Sequence, residues 1–232
     1  MDFQYINGIK TFIPNSKNEL IDHAIDNKKI LFAVNAEKII NSSRSQKSII
    51  NENFGYPDGF GAVWELKKRG YKNAKKIAGC DLWLSIIDKY YLNKSFYLIG
   101  AKQNILEKTV KKIKKQYNGI KIINYRNGYF NDNEDYELLY NDIVRNKPDI
   151  IFVAMGSPLQ EKLIINLQDL HKATYMGLGG SFDIYAGKLK RAPDFFINYN
   201  LEWAFRLIRE PQRFTRQLTL VPFFFKVLFR KL

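Results

Sequence analysis

The stretch DIIFVAMGSPLQE, residues 149–161, decides the fold class. Its first six residues form a short apolar run next to turn-forming residues, which predicts a buried strand. Ser157 and Pro158 stand where the N-cap and first residue of a helix are expected, and the apolar period of 159–170 predicts that helix. A buried strand that leads directly into a helix is the repeating unit of parallel α/β folds.

The same alternation continues on both sides of this stretch, with strands predicted at 29–34, 95–99, 120–125 and 174–178 and helices at 104–116 and 134–145. Asn7-Gly8 between two apolar runs adds an N-terminal β-hairpin. We therefore expect an α/β fold with a mostly parallel sheet and helices on both of its faces. Ligands of such folds bind in the loops at the carboxyl ends of the strands.

The composition and net charge of the chain limit the classes of protein to which it can belong. The 232 residues carry a formal net charge of +14 and are 46% apolar, which indicates a folded basic protein. Such a charge suits nucleic acid, an anionic membrane surface or anionic small substrates, and it also arises from compositional bias alone. One cysteine and two histidines leave no disulfide framework and no His/Cys metal cluster. No signal-peptide pattern and no membrane-spanning stretch is visible, so we expect a cytoplasmic protein.

The last part of the chain differs from the rest in composition. We place a core at 1–194 and a basic helical appendage at 195–232, where no further strand is predicted. An apolar stripe at helical spacing is predicted there, formed by Phe214, Leu218, Val221, Phe225 and Leu228. Pro222 is expected to kink or break that helix. The appendage lies either on an anionic membrane surface or against the core or a second copy of the chain.

Three loops in the first half of the chain carry candidate ligands. Asn35 follows the first buried strand and either caps the next helix or hydrogen-bonds a sugar or base. Asp58, in the turn at 55–61, is either a helix N-cap or a general base. Lys76 either reaches a phosphate or stays in solvent, and Asp81 is expected to cap the helix that follows it.

Two later loops suit an anion. Ser157-Pro158 opens a helix whose free amides and positive dipole end favour negative charge, and Gln160 projects from its first turn. Gly179, Gly180 and Ser181 join a strand to a helix, and the glycines let a ligand approach the backbone. The sequence has no Walker A motif, no complete G-x-G-x-x-G, and no hydrolase or kinase signature.

Together these motifs resemble the WecG/TagA/CpsF glycosyltransferases, glycosyltransferase family 26. The string at 179–193 is the most specific match, and the matching segments cover most of residues 30–213 in order. They include Asn35, Asp58-Gly59, Gly79-x-Asp81, Asn127-Gly128-Tyr129-Phe130, Gly156-Ser157-Pro158-x-Gln160-Glu161, Leu201-Glu202-Trp203, Arg206-Leu207 and Glu210-Pro211. Ala33 stands where Thr is common in one branch of the family, and Lys76 where Arg is usual.

The resemblance implies a Rossmann-like fold and the transfer of a sugar, with inversion and without a metal or other cofactor. The donor is a UDP-sugar, of N-acetylmannosamine or glucose type, and the acceptor is a polyprenyl-diphosphate-linked saccharide in cell-surface polysaccharide synthesis. It further implies a peripheral position on the cytoplasmic face of the membrane and no nucleic-acid partner, and it is compatible with a homo-oligomer.

The resemblance also gives Asp58 the role of the general base that takes the acceptor hydroxyl proton. With the loops described above, the predicted substrate-binding residues are Asn35, Lys76, Asp81, Ser157, Gln160, Gly179, Gly180, Ser181, Arg191, Arg206, Arg209 and Arg213. We expect one or more of the appendage arginines, Arg216 included, to contact a diphosphate. Truncation after Ala192 should then abolish transfer.

Two other classes of protein remain as alternatives. A nucleic-acid-binding α/β module would explain the positive charge and the many aromatic residues, and it would bind with a steep salt dependence. A catalytically inactive scaffold at the membrane surface would keep the same fold, and replacement of Asp58 would then change no measurable activity.

Overall fold

A computed structural model describes residues 1–199, 201–209, 218 and 220–229 of the chain. Arg213, Phe214 and Arg216 lie outside the described residues, as do the side chains of Arg206 and Arg209. The predictions made for these five residues therefore stay predictions.

The elements alternate along the chain as the sequence predicts. The strands are β1 (Asp2–Ile6), β2 (Ile9–Ile13), β3 (Ile30–Val34), β4 (Phe54–Pro57), β5 (Ser95–Gly100), β6 (Lys121–Arg126), β7 (Ile150–Ala154) and β8 (Thr174–Gly177). The helices are α1 (Lys17–Asp26), α2 (Ala36–Asn41), α3 (Arg44–Asn51), α4 (Phe60–Lys68), α5 (Gly79–Tyr90), α6 (Gln103–Gln116), α7 (Asn133–Asn146), α8 (Leu159–Leu170), α9 (Ser181–Tyr185), α10 (Asp194–Asn198), α11 (Glu202–Arg209) and α12 (Leu220–Leu228).

Six strands form a parallel sheet in the order β4-β3-β8-β7-β5-β6, and β1 and β2 form the predicted antiparallel hairpin. The central strands β5 and β7 pair in parallel from Phe96↔Ile150 to Gly100↔Ala154. Every residue of these two strands is buried, as expected for strands covered by helices on both faces. The predicted fold class is confirmed.

The chain divides into two units. The first contains Met1–Glu19, Phe32–Ala78 and Arg191–Leu232, and the second contains Leu20–Leu31 and Gly79–Lys190. The boundary at residue 194 that composition indicates stays a prediction.

The core of the second unit is built around Trp83. This fully buried side chain of α5 makes edge contacts with Phe152 of β7 and Phe182 of α9, at centroid distances of 5.7 and 5.6 Å. All three rings are almost completely removed from water. Burial on this scale fixes helices α5 and α9 against the sheet.

In the first unit, β4 is a strand that the sequence pattern did not predict. Three of its four residues, Gly55 to Pro57, belong to the stretch 55–61 in which the sequence predicts a turn. A Cβ at Gly55 would lie 2.5 Å from the carbonyl oxygen of Lys10, so only glycine lets this backbone approach the hairpin. The glycine marks a close contact of two chain segments here and not a turn.

Helix α12 also differs from its prediction. Phe223 and Val227 are buried, whereas the members of the expected apolar stripe that the structure describes are about half exposed: Leu218, Val221, Phe225 and Leu228. Gly61 explains why Phe223 is on the buried side of α12. Glycine has no side chain, and this leaves room for the Phe223 ring, which would lie 2.7 Å from a Cβ at position 61. Pro222 lies in the first turn of α12, where its missing N–H is not needed. Residues 214–217 and 219 of the predicted helix lie outside the described part of the chain, so the kink or break expected at Pro222 stays a prediction.

A lysine of the same unit caps the C-terminus of helix α12. The Lys68 ammonium, at the end of α4, donates to the carbonyl oxygens of Val227 and Leu228 at 2.6 and 2.7 Å. These carbonyls have no acceptor role inside the helix, so the lysine both pairs them and complements the negative end of the helix dipole. In the described part of the chain, no helix has the length and apolar character needed to cross a bilayer.

Candidate active site

The first unit places Asn35 and Asp58 in adjacent loops at the ends of β3 and β4. The backbone N–H of Asp58 donates to the carbonyl oxygen of Val34, the last residue of β3, at 3.0 Å. Asn35 follows immediately, and its side-chain oxygen accepts the N–H of Lys38 at 2.9 Å. Asn35 is therefore the N-cap of α2, as one of its two interpretations predicts.

Asp58 is not the N-cap of α4. That position belongs to Gly59, whose φ of 86° and ψ of 165° lie in a region that favours glycine. The turn at Gly59 leaves Asp58 one residue before the cap, with a half-buried side chain. Between the two interpretations of this carboxylate, the capping one is wrong.

Lys76 lies beside the same loop. The N–H of Ile77 donates to the carbonyl oxygen of Pro57 at 2.9 Å, so Lys76 and Asp58 each stand one residue away from this backbone contact. The Lys76 ammonium does not stay in solvent, because it donates to a carboxylate oxygen of Glu202 in α11 at 2.8 Å. The two side chains are only 19% and 16% exposed.

We call Asn35, Asp58, Lys76 and Glu202 the acidic-loop cluster. It contains a carboxylate at the carboxyl end of a parallel strand, an amide and a partly buried ion pair. A carboxylate can move a proton, and an amide can hydrogen-bond a sugar hydroxyl. In the sequence Glu202 belongs only to a family motif, and no spacing rule links it to Lys76, which is 126 residues away.

The second unit contains the loops after β7 and β8. Ser157 was predicted to be the N-cap of α8, but Pro158 occupies that position and the Ser157–Pro158 peptide bond is cis. The Ser157 hydroxyl donates to a carboxylate oxygen of Glu161, in the first turn of α8, at 2.6 Å. The N-cap prediction for Ser157 is therefore wrong.

Gln160 joins these two loops. Its side-chain oxygen accepts the N–H of Gly156 at 3.2 Å and the N–H of Gly179 at 2.9 Å, and the residue is 7% exposed. Ser181 is also buried, and its hydroxyl donates to the carbonyl oxygen of Leu178 at 2.7 Å. Gly180 precedes α9 and is exposed. We call Gly156, Gln160, Gly179 and Ser181 the glycine-loop cluster.

The remaining predicted site residues lie elsewhere. Helix α5 begins at Gly79, so Asp81 lies within its first turn and the prediction that Asp81 caps the helix is wrong. An acidic residue in the first turn still suits the positive end of the helix dipole. Arg191 is exposed and belongs to the first unit. In the described residues, no group of three or more His, Cys, Asp or Glu side chains is arranged to hold a metal ion.

Comparison with known proteins identifies the family of this chain. The sequence model of the WecG/TagA/CpsF family of glycosyl transferases matches residues 9–232. The chain belongs to this family. The resemblance seen in the motifs is thereby confirmed, and the protein is a glycosyltransferase.

Two relatives of the WecG/TagA/CpsF chain carry the same name, N-acetylglucosaminyldiphosphoundecaprenol N-acetyl-beta-D-mannosaminyltransferase. The one from Bacillus subtilis (strain 168) is 36% identical over 97% of this chain and 88% of its own length. The one from Bacillus spizizenii (strain W23) is 33% identical over 90% of this chain and 84% of its own length.

Proposed function

We propose that the protein is an inverting, metal-independent glycosyltransferase that moves an N-acetylmannosamine-type sugar from a UDP-sugar to a polyprenyl-diphosphate-linked N-acetylglucosamine. The observation that carries the proposal is the position of Asp58, held next to the loops of Asn35 and Lys76 by backbone hydrogen bonds. The names of the two relatives supply the sugar and the acceptor. Among the two donor types expected from the sequence, these names favour N-acetylmannosamine over glucose.

Asp58 is the base in the proposed reaction. Its carboxylate takes the proton of the acceptor hydroxyl while the hydroxyl oxygen forms a bond to the anomeric carbon of the donor sugar. The bond from that carbon to the diphosphate oxygen breaks, and its electron pair leaves with UDP. Attack from the side opposite the leaving group inverts the anomeric centre. The transferred proton remains on Asp58 until it is released to solvent.

The leaving diphosphate needs positive charge and N–H donors where its negative charge develops. In the first unit, Lys76 contributes an ammonium group, and Arg206 follows its partner Glu202 by four residues in α11. We propose that Arg191, Arg206, Arg209 and Arg213 bind diphosphate oxygens. We also propose that the exposed Gly180 and the loops of the glycine-loop cluster bind the donor.

Helix α12 supports a peripheral position at the cytoplasmic face of the membrane. The helix exposes the side chains of Val221, Phe225 and Leu228, and Phe229 follows them, with Lys226 among them. Exposed aromatic side chains next to a cation suit the interface of an anionic leaflet. A lipid-linked acceptor would be reached from that surface.

Product analysis tests this function. The protein is incubated with UDP-N-acetylmannosamine, UDP-N-acetylglucosamine or UDP-glucose and a short-chain polyprenyl-diphosphate N-acetylglucosamine, with a chelator or with Mg²⁺. Mass spectrometry should show one added N-acetylhexosamine with the first donor only, and equally in both buffers. An absolute Mg²⁺ requirement, or steeply salt-dependent nucleic-acid binding without turnover of any donor, would contradict the proposal.

A further inference from the structure

The side chain of Gln160 faces the backbone of its own unit. Both of its short hydrogen bonds, to the N–H groups of Gly156 and Gly179, use the side-chain oxygen. Two donors that point at one atom require that atom to be the acceptor oxygen of the amide, which fixes the orientation of the group. The nitrogen lies 3.5 Å from a carboxylate oxygen of Glu161, at the outer limit of a hydrogen bond.

The two N–H groups belong to different loops. Gly156 follows β7 and Gly179 follows β8, and these two strands pair from Ile150↔Thr174 to Val153↔Gly177. Both glycines have positive φ, 78° and 56°, so each loop turns in a conformation that the local chain does not favour for other residues. A single buried acceptor therefore holds two glycine turns in a defined arrangement.

Gly177 makes room for this amide. A Cβ at Gly177 would lie 2.6 Å from the Gln160 side-chain nitrogen and 2.9 Å from its carboxamide carbon. The backbone of Gly177 does not have a positive φ, so its conformation alone does not require glycine. The presence of glycine at this position is explained by the space that the Gln160 side chain occupies.

We propose that Gln160 is a positioning residue that sets the shape of the donor-binding loops through the N–H groups of Gly156 and Gly179, and that it does not itself contact the substrate. Gly177 is part of the same device, because any side chain there displaces the amide. The inference rests on the proposed function, in which these loops bind the UDP-sugar. The sequence predicts that Gln160 binds the substrate directly. In the present inference Gln160 instead affects donor binding through the two loops that it holds.

Two substitutions distinguish a Gln160 that holds the loops from a Gln160 that contacts the substrate. Gln160→Met keeps the length and flexibility of the side chain and removes the strong acceptor, whereas Gly177→Ala keeps the amide and displaces it. Gln168→Leu, two turns further along α8, is the matched control for loss of a glutamine from this helix.

Hydrogen exchange of the peptides that contain Gly156 and Gly179 is the first readout, since it does not depend on turnover. Exchange at these amides should be roughly tenfold faster in Gln160→Met and Gly177→Ala, the scale of one lost hydrogen bond. It should stay slow in Gln168→Leu. Unchanged exchange in both of the first two variants would overturn the inference, even if the enzyme reaction proceeds as proposed.

Steady-state kinetics is the second readout. In Gln160→Met and Gly177→Ala, the KM for the UDP-sugar should rise by about tenfold, while the KM for the lipid acceptor changes by less than about twofold. The dissociation constant of UDP should rise with the donor KM. Loss of turnover in Gln160→Met with wild-type kinetics in Gly177→Ala would show that Gln160 contacts substrate directly, which also overturns the inference. An inactive wild-type protein would contradict the proposed function and leave the exchange experiment to decide the role of Gln160 in the loops.

Discussion

The ammonium group of Lys76 lies 2.8 Å from a carboxylate oxygen of Glu202, and both side chains are more than four-fifths buried. The pair connects the loop beside Asp58 with α11, the helix that also contains Arg206 and Arg209. Partly buried charges of this kind depend on each other, because each loses its solvation and gains a partner. The ion pair thus fixes the start of the appendage in the first unit.

Replacing one partner of this pair should therefore lower the free energy of unfolding more than replacing both partners. Lys76→Met leaves the Glu202 carboxylate without its partner and should lower the free energy of unfolding by about 2–4 kcal/mol. Lys76→Met with Glu202→Leu should recover much of that loss, with a coupling free energy of about 1–3 kcal/mol in urea unfolding. Lys76→Arg is the control, since it keeps the charge. Strict additivity of the two single changes would contradict a coupled pair.

The exposed and buried aromatic residues of α12 should separate membrane binding from folding. Phe225→Ser with Phe229→Ser should reduce co-sedimentation with anionic vesicles, because these two rings stack on each other and are 52% and 63% exposed. The free energy of unfolding should change by less than about 1 kcal/mol. Phe223→Ala is the contrasting variant, since its ring is 3% exposed and its loss removes packing within the first unit. Vesicle binding that survives the double change would argue against α12 as the membrane contact.

Gly61 should be required for α12 to pack in its observed position. In Gly61→Ala the new Cβ would lie 2.7 Å from the Phe223 ring and 3.3 Å from the Ala36 Cβ, so the ring must move. Hydrogen exchange in the peptide that contains 220–229 should become faster, and exchange in the second unit should not change. A slow, wild-type exchange of α12 would show that the helix is held by other contacts.

Acid should destabilise the second unit partly through Asp149. Burial opposes the charge of this carboxylate, but hydrogen bonds from the Ser95 N–H and hydroxyl, at 2.9 and 2.7 Å, outweigh it and lower the pKa of Asp149. The folded pKa lies below the unfolded one, so the stabilisation is present above about pH 4 and disappears as the pH falls through the folded pKa.

The melting temperature measured from about pH 6 to pH 2 checks this dependence. Asp149→Asn should flatten the acid side of the curve relative to the wild-type protein, and Ser95→Ala should flatten it in part. A wild-type acid slope in Asp149→Asn would assign the effect to other carboxylates.

Much of the sheet follows from the sequence because its strands are short, buried and apolar. The bounds of β7 and α8 differ from their predictions by at most one residue. Several wrong predictions involve glycine or proline, because each of these residue types occurs in more than one kind of local structure. Gly55 indicated a turn and instead permits a close strand contact, and Ser157-Pro158 indicated a serine N-cap where the proline itself holds that position.

The candidate site was predictable only in part. Asn35 could be placed by the rule that parallel strands present their carboxyl-end loops at one edge. Asp58 could not be placed in this way, because β4 was not predicted, and its role comes from the family resemblance. The Lys76–Glu202 ion pair and the role of Gly177 could not, because both depend on contacts between residues that are distant in sequence. Local periodicity contains no information about such pairs.

The rate of sugar transfer by Asp58→Asn, compared with the wild-type protein at saturating donor and acceptor, tests the proposed mechanism most directly. Asparagine keeps the size of the side chain and cannot take the acceptor proton, so the rate should fall by roughly 10²-fold or more while the affinity for UDP stays within about twofold. Asp26→Asn, an exposed carboxylate at the end of α1, is the matched control and should keep the wild-type rate. Transfer by Asp58→Asn at a rate comparable to that of the control would contradict the assignment of Asp58 as the base.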